Sequence, residues 1–391
     1  MRKKYESIKI YFGNIFSQEG INFDVVNYEG YPEIVITHNN KQLPIDMVGS
    51  GIFEVLNLLA VVIGAEEKVI LLDEPALHLH PVYQKKLLKD VFEKLNENGN
   101  NQIIIITHSP YFIDLKTLKN TFRFYKENSK TKVINVEELL NGIINLKDFT
   151  KNDALIRSLF ANGVILVEGV SEFLSIPILL RKLNYALEDY NLEIINVESK
   201  TGFEKYVRLM NSLKIPCAVV CDGDTAYNLY NKDGGKWKLN KNLPHIINIY
   251  KKIKPFWVKD KDIDIDKILE DIENKIATKK SSLEEEIDKD DKLEEELVER
   301  GIKPIYEEIK DILINKLFIF ACKEYDWTGF LGIKKDETEK CIQKAYEFDD
   351  EEKLKDLKNF IKNFIDKRIN PKINHNTALN TFKDGGNHDY S

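Results

Sequence analysis

Six short runs of uninterrupted apolar residues, each closed by polar or acidic residues, constrain this chain more than any other feature. They are KVILLDE, QIIIITHS, GVILVEG, LEIINVES, PCAVVCDGD and KLFIFACKEYD. Apolar runs of this length suit strands of a parallel sheet buried on both faces. Between the first two lies VYQKKLLKDVFEKLNENG, an amphipathic helix pattern that stops at a glycine. SEFLSIPILLRKLNYAL and GFEKYVRLMNSL separate the next three in the same way. Strand, helix, strand units with right-handed crossovers predict an α/β architecture built twice over, with no internal sequence repeat.

The ends of these runs carry the chemistry. Asp73 and Glu74 close the first, Glu168 the third, Asp222 and Asp224 the fifth, and Glu324 and Asp326 the sixth; the second ends in Thr107-His108. Open α/β sheets place ligand sites just beyond the carboxyl ends of their strands. One acid there means little, and DGD alone also reads as a turn. Five acids converging from three strands of one block would repel one another, and such a cluster persists mainly when cations neutralise it. Ligands that offer only oxygen suit Mg2+ or Mn2+. Asp222 and Asp224 are two residues apart, so on an extended strand end they point the same way.

Charge and composition narrow the partners. The net charge of -7 is concentrated: residues 259–300 hold 17 Asp and Glu against 9 Lys and Arg, a local charge of -8 that leaves +1 for the rest. This segment includes SSLEEEIDKDDKLEEELVER and reads as a solvated helix pair or a projecting arm. Elsewhere GGKWKLNKN and YKKIKPFWVK mix lysines with aromatics, a composition that suits contact with a nucleic-acid backbone. The cysteines Cys217, Cys221, Cys322 and Cys341 form no C-x-x-C pair and are expected to be reduced packing residues rather than a zinc site. No apolar stretch approaches the roughly 20 residues of a membrane span, and the start MRKKYESIKIYF lacks a secretory core. A cytoplasmic location without membrane association is expected.

Two resemblances give these features a setting. VILLDEPALHLHP resembles the magnesium and hydrolysis strand of an ATP-binding cassette, which would make Asp73 the metal-holding acid and Glu74 the residue that polarises water. MVGSGIFEVLNLLA resembles the cassette signature loop, with Gly49, Ser50 and Gly51 facing a nucleotide across a dimer; ITHSPYFID would supply His108 as the γ-phosphate-sensing switch. The phosphate loop G-x-x-x-x-G-K-[ST] does not occur: the one Gly-Lys pair, Gly235-Lys236, lacks the earlier glycine and precedes Trp237. GVILVEGVSE with Glu168 and Glu172, followed by CDGD with Asp222 and Asp224, resembles the TOPRIM fold, whose acids hold metal ions that act on phosphodiesters.

A cassette segment followed by TOPRIM resembles the overcoming-lysogenisation-defect (OLD) family of nucleases, which includes nuclease subunits of some antiphage systems. That resemblance implies a partial ABC/SMC-like ATPase lobe over residues 1–150 and a Rossmann-like TOPRIM domain over 151–391 with a helical insertion at about 259–315. It implies a DNA endonuclease using a two-metal mechanism with Mg2+ or Mn2+. Glu168, Glu172, Asp222, Asp224 and Asp326 would be ligands directly or through water, Glu324 ligand or base, and Lys372, in NPKINHNTALNTF, the late lysine that stabilises the cleaved phosphate. It further implies a homodimer or higher oligomer on DNA, with a separate chain carrying the missing ATPase lobe or a helicase-like protein as partner, and ATP use only if a phosphate loop comes from another chain; a degenerate lobe that serves only folding and dimer contact stays open beside this. Two other readings stay open: a non-catalytic partner that completes an ATPase dimer and recruits DNA, and another TOPRIM activity on RNA.

Overall fold

The computed structural model describes residues 2–98, 101–127, 130–227, 230–233, 236–239, 244–253, 264–287, 308–323, 326–334 and 337–370. The chain divides into two compact units, Met1–Lys119 and Asn120–Ser391.

The first unit begins with the helix Arg2–Ile15 and an antiparallel meander of β1 (Asn22–Tyr28), β2 (Tyr31–His38) and β3 (Lys41–Pro44). Its turns fall where Glu29-Gly30 and Asn39-Asn40 adopt positive φ. The helix Ser50–Gly64 leads into β4 (Val69–Asp73), which pairs in parallel with β5 (Gln102–Ile106) so that Leu71 faces Ile104 and Asp73 faces Ile106. Three consecutive helical segments, Pro81–Lys86, Leu87–Phe92 and Glu93–Asn98, cover the run between these strands, with Leu87, Leu88, Val91 and Phe92 buried. Phe12, Ile15, Phe23, Val55, Leu59, Ile70 and Leu72 complete that core.

The expectation that β4 and β5 are buried on both faces is corrected here. Along β4 only Ile70 and Leu72 are buried; Val69 and Leu71 point outward with Ile104 and Ile106 of β5, and Leu71 is 72% exposed. The helical layer covers one face of this strand pair, and the other remains an apolar surface.

The second unit opens with a hairpin of β6 (Phe122–Glu127) and β7 (Lys130–Asn135). Arg123 ties it down by donating to the carbonyls of Leu159 and Leu213, and burial of this guanidinium pushes its pKa down to about 10. The central sheet consists of β8 (Gly163–Val167), β9 (Leu192–Asn196), β10 (Cys217–Cys221) and β13 (Ile319–Ala321), in the order β13-β10-β8-β9, all parallel. Two short strands, β11 (Tyr230–Asp233) and β12 (Lys236–Leu239), form a separate hairpin. Every residue of β8 and β10 is buried, as the unbroken runs require. Each large side chain there contributes about 1.5–3 kcal/mol of transfer free energy. All four cysteines are buried and free.

Over its described part the acidic segment is a helix with one buried stripe. The helix Ile265–Ile287 buries Ile268, Leu269, Ile272 and Ile276, and Lys251 of the helix His245–Ile253 pairs with its Glu273. Spacing at positions 268, 269, 272 and 276 makes one apolar stripe, so its burial outweighs the solvation of the charged remainder. Residues 288–307 lie outside the described residues, as do much of GGKWKLNKN and YKKIKPFWVK. Among the described residues, no helix is long and apolar enough to cross a membrane.

Candidate metal centre and candidate nucleotide site

Parallel register builds the centre. Val220 of β10 lies opposite Val167 of β8, so the residues that follow, Glu168 and the pair Asp222 and Asp224, emerge side by side at the carboxyl edge of the sheet. Carboxylate oxygens of Glu168, Asp222 and Asp224 all lie within 4.8 Å of one another, the one such group among the described residues. The backbone N–H of Asp222 donates to Glu168 Oε2 at 3.1 Å, and the Thr225 hydroxyl donates to the same oxygen at 2.9 Å. Asp222 Oδ1 accepts from the Trp327 backbone N–H at 2.8 Å, while the Trp327 indole donates to Ser175 Oγ at 2.7 Å. Asp224 sits in the first turn of the short helix Gly223–Tyr227.

Glu172 lies one turn into the helix Val170–Lys182, only 3% exposed, and hydrogen-bonds the Asp222 side chain. A Cβ at position 169 would stand 3.3 Å from Glu172 Oε2, so Gly169 leaves room for this carboxyl group. Burial pushes the pKa values of Glu168, Glu172 and Asp222 above the usual carboxylate range, and the neighbouring carboxylates push Asp222 further. Burial and mutual repulsion of carboxylates are the conditions that a divalent cation relieves. The donor set is all oxygen, so the residues fit Mg2+ or Mn2+.

Not every acid expected at the centre joins it. Asp326 caps the helix Trp327–Leu331, its Oδ1 accepting from Gly329 N–H at 2.7 Å and from the Thr328 hydroxyl at 2.9 Å, and it is outside the group of three. Glu324 and Lys372 lie outside the described residues. Sequence reasoning missed Thr225 and Trp327, which hold Glu168 and Asp222. Thr225 directly follows DGD and was within reach of inspection; a backbone N–H donor such as that of Trp327 leaves no sequence signal.

The first unit gathers part of its expected set. Asp73 and Glu74 end β4, and Glu74 N–H donates to the Ile106 carbonyl at 2.8 Å. Glu74 has a φ of 46°, uncommon for a residue with a side chain, and a feature often found at functional sites. Its carboxylate accepts from the Thr107 hydroxyl at 3.1 Å and the His108 N–H at 2.9 Å, and the His108 ring, 91% exposed, stands 3.8 Å away. Gly49 caps the helix that begins at Ser50, both exposed. Gly51 has a packing role: a Cβ there would lie 3.2 Å from the His78 carbonyl. Gln84 braces the loop after β4 by donating to the Ala76 and Leu79 carbonyls, and accepts from Ser109.

The architecture defines an ATPase-type lobe followed by a TOPRIM domain. Residues 1–113 match the AAA ATPase domain family, and residues 159–224 match the TOPRIM domain of overcoming-lysogenisation-defect-like proteins. That pair of matches, an ATPase domain followed by an OLD-like TOPRIM domain, makes the chain similar to OLD-like proteins. An uncharacterised protein of Methanocaldococcus jannaschii is 33% identical over 336 residues, which is 82% of this chain and 41% of that protein. Two Bacillus cereus proteins named endonuclease GajA, from strains HuB5-5 and VD045, are 24% and 33% identical over 47% and 44% of this chain and over 32% and 28% of their own lengths. The chain thus spans less than half the length of these curated relatives.

Proposed function

We propose that the chain is a divalent-cation-dependent DNA endonuclease of the OLD type, acting in antiphage defence or DNA processing. The observation that carries this reading is the convergence of Glu168, Asp222 and Asp224 at the edge of a TOPRIM sheet. The names of the GajA relatives support the reaction class. Glu168, Asp222 and Asp224 would hold Mg2+ or Mn2+, which when bound supplies activation of water and charge stabilisation at a phosphodiester. Glu172, beside Asp222, would be a further ligand directly or through water, and Thr225 keeps the Glu168 carboxylate oriented. Asp326 would act through water, and Glu324 and Lys372 would complete the catalytic set.

The nucleotide residues Asp73, Glu74, His108, Gly49, Ser50 and Gly51 act, in this reading, only when a phosphate loop is supplied by another polypeptide segment. The chain on its own neither binds ATP tightly nor hydrolyses it. The outward apolar face of β4 and β5 supports a partner lobe: an exposed surface of Val69, Leu71, Ile104 and Ile106 is the kind that marks an interaction site. Homodimers or higher oligomers on DNA follow from the same family reading.

The test is cleavage of duplex DNA by the purified chain with Mn2+ and with EDTA, with and without ATP, using Glu168→Gln as control. Cation-dependent cutting that Glu168→Gln abolishes is the expected result. Cutting of RNA alone, or DNA binding without any cutting, would replace this reading with one of its two alternatives. ATP turnover that disappears in Glu74→Gln would overturn the ATPase part.

A further inference from the structure

A lysine that no motif singles out reaches the carboxylate cluster. Lys200 Nζ lies 3.1 Å from Asp224 Oδ2. Its backbone is held by a built loop between β9 and the helix Gly202–Ser212. Asn196 Oδ1 accepts from Glu198 N–H at 2.8 Å, Glu198 takes a φ of 68°, and Gly202 N–H donates to the Ser199 carbonyl at 2.9 Å. A Cβ at position 202 would meet the Val197 carbonyl oxygen at 2.2 Å, so only glycine lets the helix begin this close to the strand end. His245, at the start of its helix, hydrogen-bonds the Lys200 backbone. The loop is a fixed mount, and the movable part is the lysine stem: the Lys200 side chain is 48% exposed where that of Asp224 is 18%.

This geometry sets up a competition. An ammonium at Asp224 satisfies one carboxylate of a repelling cluster. A divalent cation on the same carboxylate would repel that ammonium, and a flexible four-carbon stem half in water can swing away without moving the backbone. The anion then next in reach is the phosphodiester backbone that the cluster is read as cutting, and a lysine serves phosphate as a compact point charge.

We propose that Lys200 is a displaceable counter-ion, which pairs with Asp224 while the cluster lacks a divalent cation and turns to a nucleic-acid phosphate once Asp224 is engaged by the cation. The inference rests on the metal-dependent reading above, and it makes Lys200 a positioning residue for both cation and substrate.

Two measurements on the full chain test it without relying on turnover. In calorimetric titration with Mn2+, Lys200→Gln binds the ion about 2- to 5-fold more tightly than the unaltered chain, the gain expected when a half-exposed ion pair no longer competes; Lys200→Arg stays near the unaltered value. In Ca2+, used as a probe for binding of duplex DNA, the dependence of log K on log[salt] becomes shallower by about 0.9 in Lys200→Gln, the loss of one phosphate contact. In EDTA the two slopes coincide. Equal or weaker Mn2+ binding by Lys200→Gln overturns the proposal, as does a slope difference that persists in EDTA. If the unaltered chain itself binds no Mn2+, the metal reading fails first, a result distinguishable from failure of the lysine exchange alone.

Discussion

The two parallel strand sets of this molecule start from similar sequence and end in different environments. KVILLDE and QIIIITHS carry apolar runs as unbroken as those of GVILVEG and PCAVVCDGD, yet β8 and β10 are buried throughout while β4 and β5 keep one apolar face outward. Helices and neighbouring strands enclose β8 and β10. A single helical layer covers β4 and β5, so the first unit has the composition of an enclosed sheet without the enclosure. An apolar run therefore records the burial a strand is suited to, and the packing around it decides which part of that burial is met. The acids at the strand ends follow the same division: in the second unit Glu168, Asp222 and Asp224 converge within 4.8 Å, and in the first Glu74 is turned toward Thr107 and His108.

The sharpest contrast is catalytic. Asp222→Asn should lower Mn2+-dependent DNA cleavage on the order of 10³-fold, while Glu74→Gln leaves cleavage by the chain alone within about 2-fold. Comparable losses from both variants would break the division of labour between the units. The fold survives Asp222→Asn, because the amide oxygen can still accept from Trp327 N–H.

A matched pair of leucines tests burial directly. Leu166 in β8 is fully buried, and Leu166→Ala should cost about 2–5 kcal/mol in denaturant unfolding. Leu71 in β4 is mostly exposed, and Leu71→Ala should fall within about 0.5 kcal/mol. A large cost at Leu71 in the isolated chain would mean that its outer face is covered in solution. Leu71→Lys combined with Ile106→Lys then asks by what: analytical ultracentrifugation should show weaker self-association or loss of a partner lobe, with the helical circular dichroism unchanged.

The smallest effect concerns pH in metal-free protein. Asp222 and Glu172 are raised above the ordinary carboxylate range, so the unfolded chain gives up their protons at lower pH than the folded one. Stability from these groups is therefore full below the unfolded value of about 4 and declines as pH rises toward neutrality. Tm in EDTA should fall over that window, less so in Asp222→Asn, and Mn2+ should reverse the decline only when Asp222 is present.

Much of this was legible in the sequence, for particular reasons. Strands β8, β9 and β10 stand out because apolar runs bounded by acids have few other uses, and their parallel register carries Glu168, Asp222 and Asp224 to one edge. The antiparallel meander of β1 to β3 went unread, although its alternation and the Glu29-Gly30 and Asn39-Asn40 turns were present. The hairpin of β6 and β7 escaped because its attachment runs through Arg123 and two distant carbonyls, contacts that no local pattern encodes. Within the acidic segment, four apolar residues on one stripe of Ile265–Ile287 are buried, and the seven acids of that helix did not prevent it. Lys200 was unreadable for a similar reason, since only the tertiary structure carries it from β9 to Asp224.

Calorimetric titration of Mn2+ into the full chain and into Glu168→Gln, at neutral pH and without nucleic acid, tests the centre most directly. The account predicts saturable binding to the unaltered chain and at least about a tenfold loss in Glu168→Gln, equivalent to about 1.4 kcal/mol. Binding of equal strength in both would contradict it, because the three carboxylates at the ends of β8 and β10 would not then be what holds the ion.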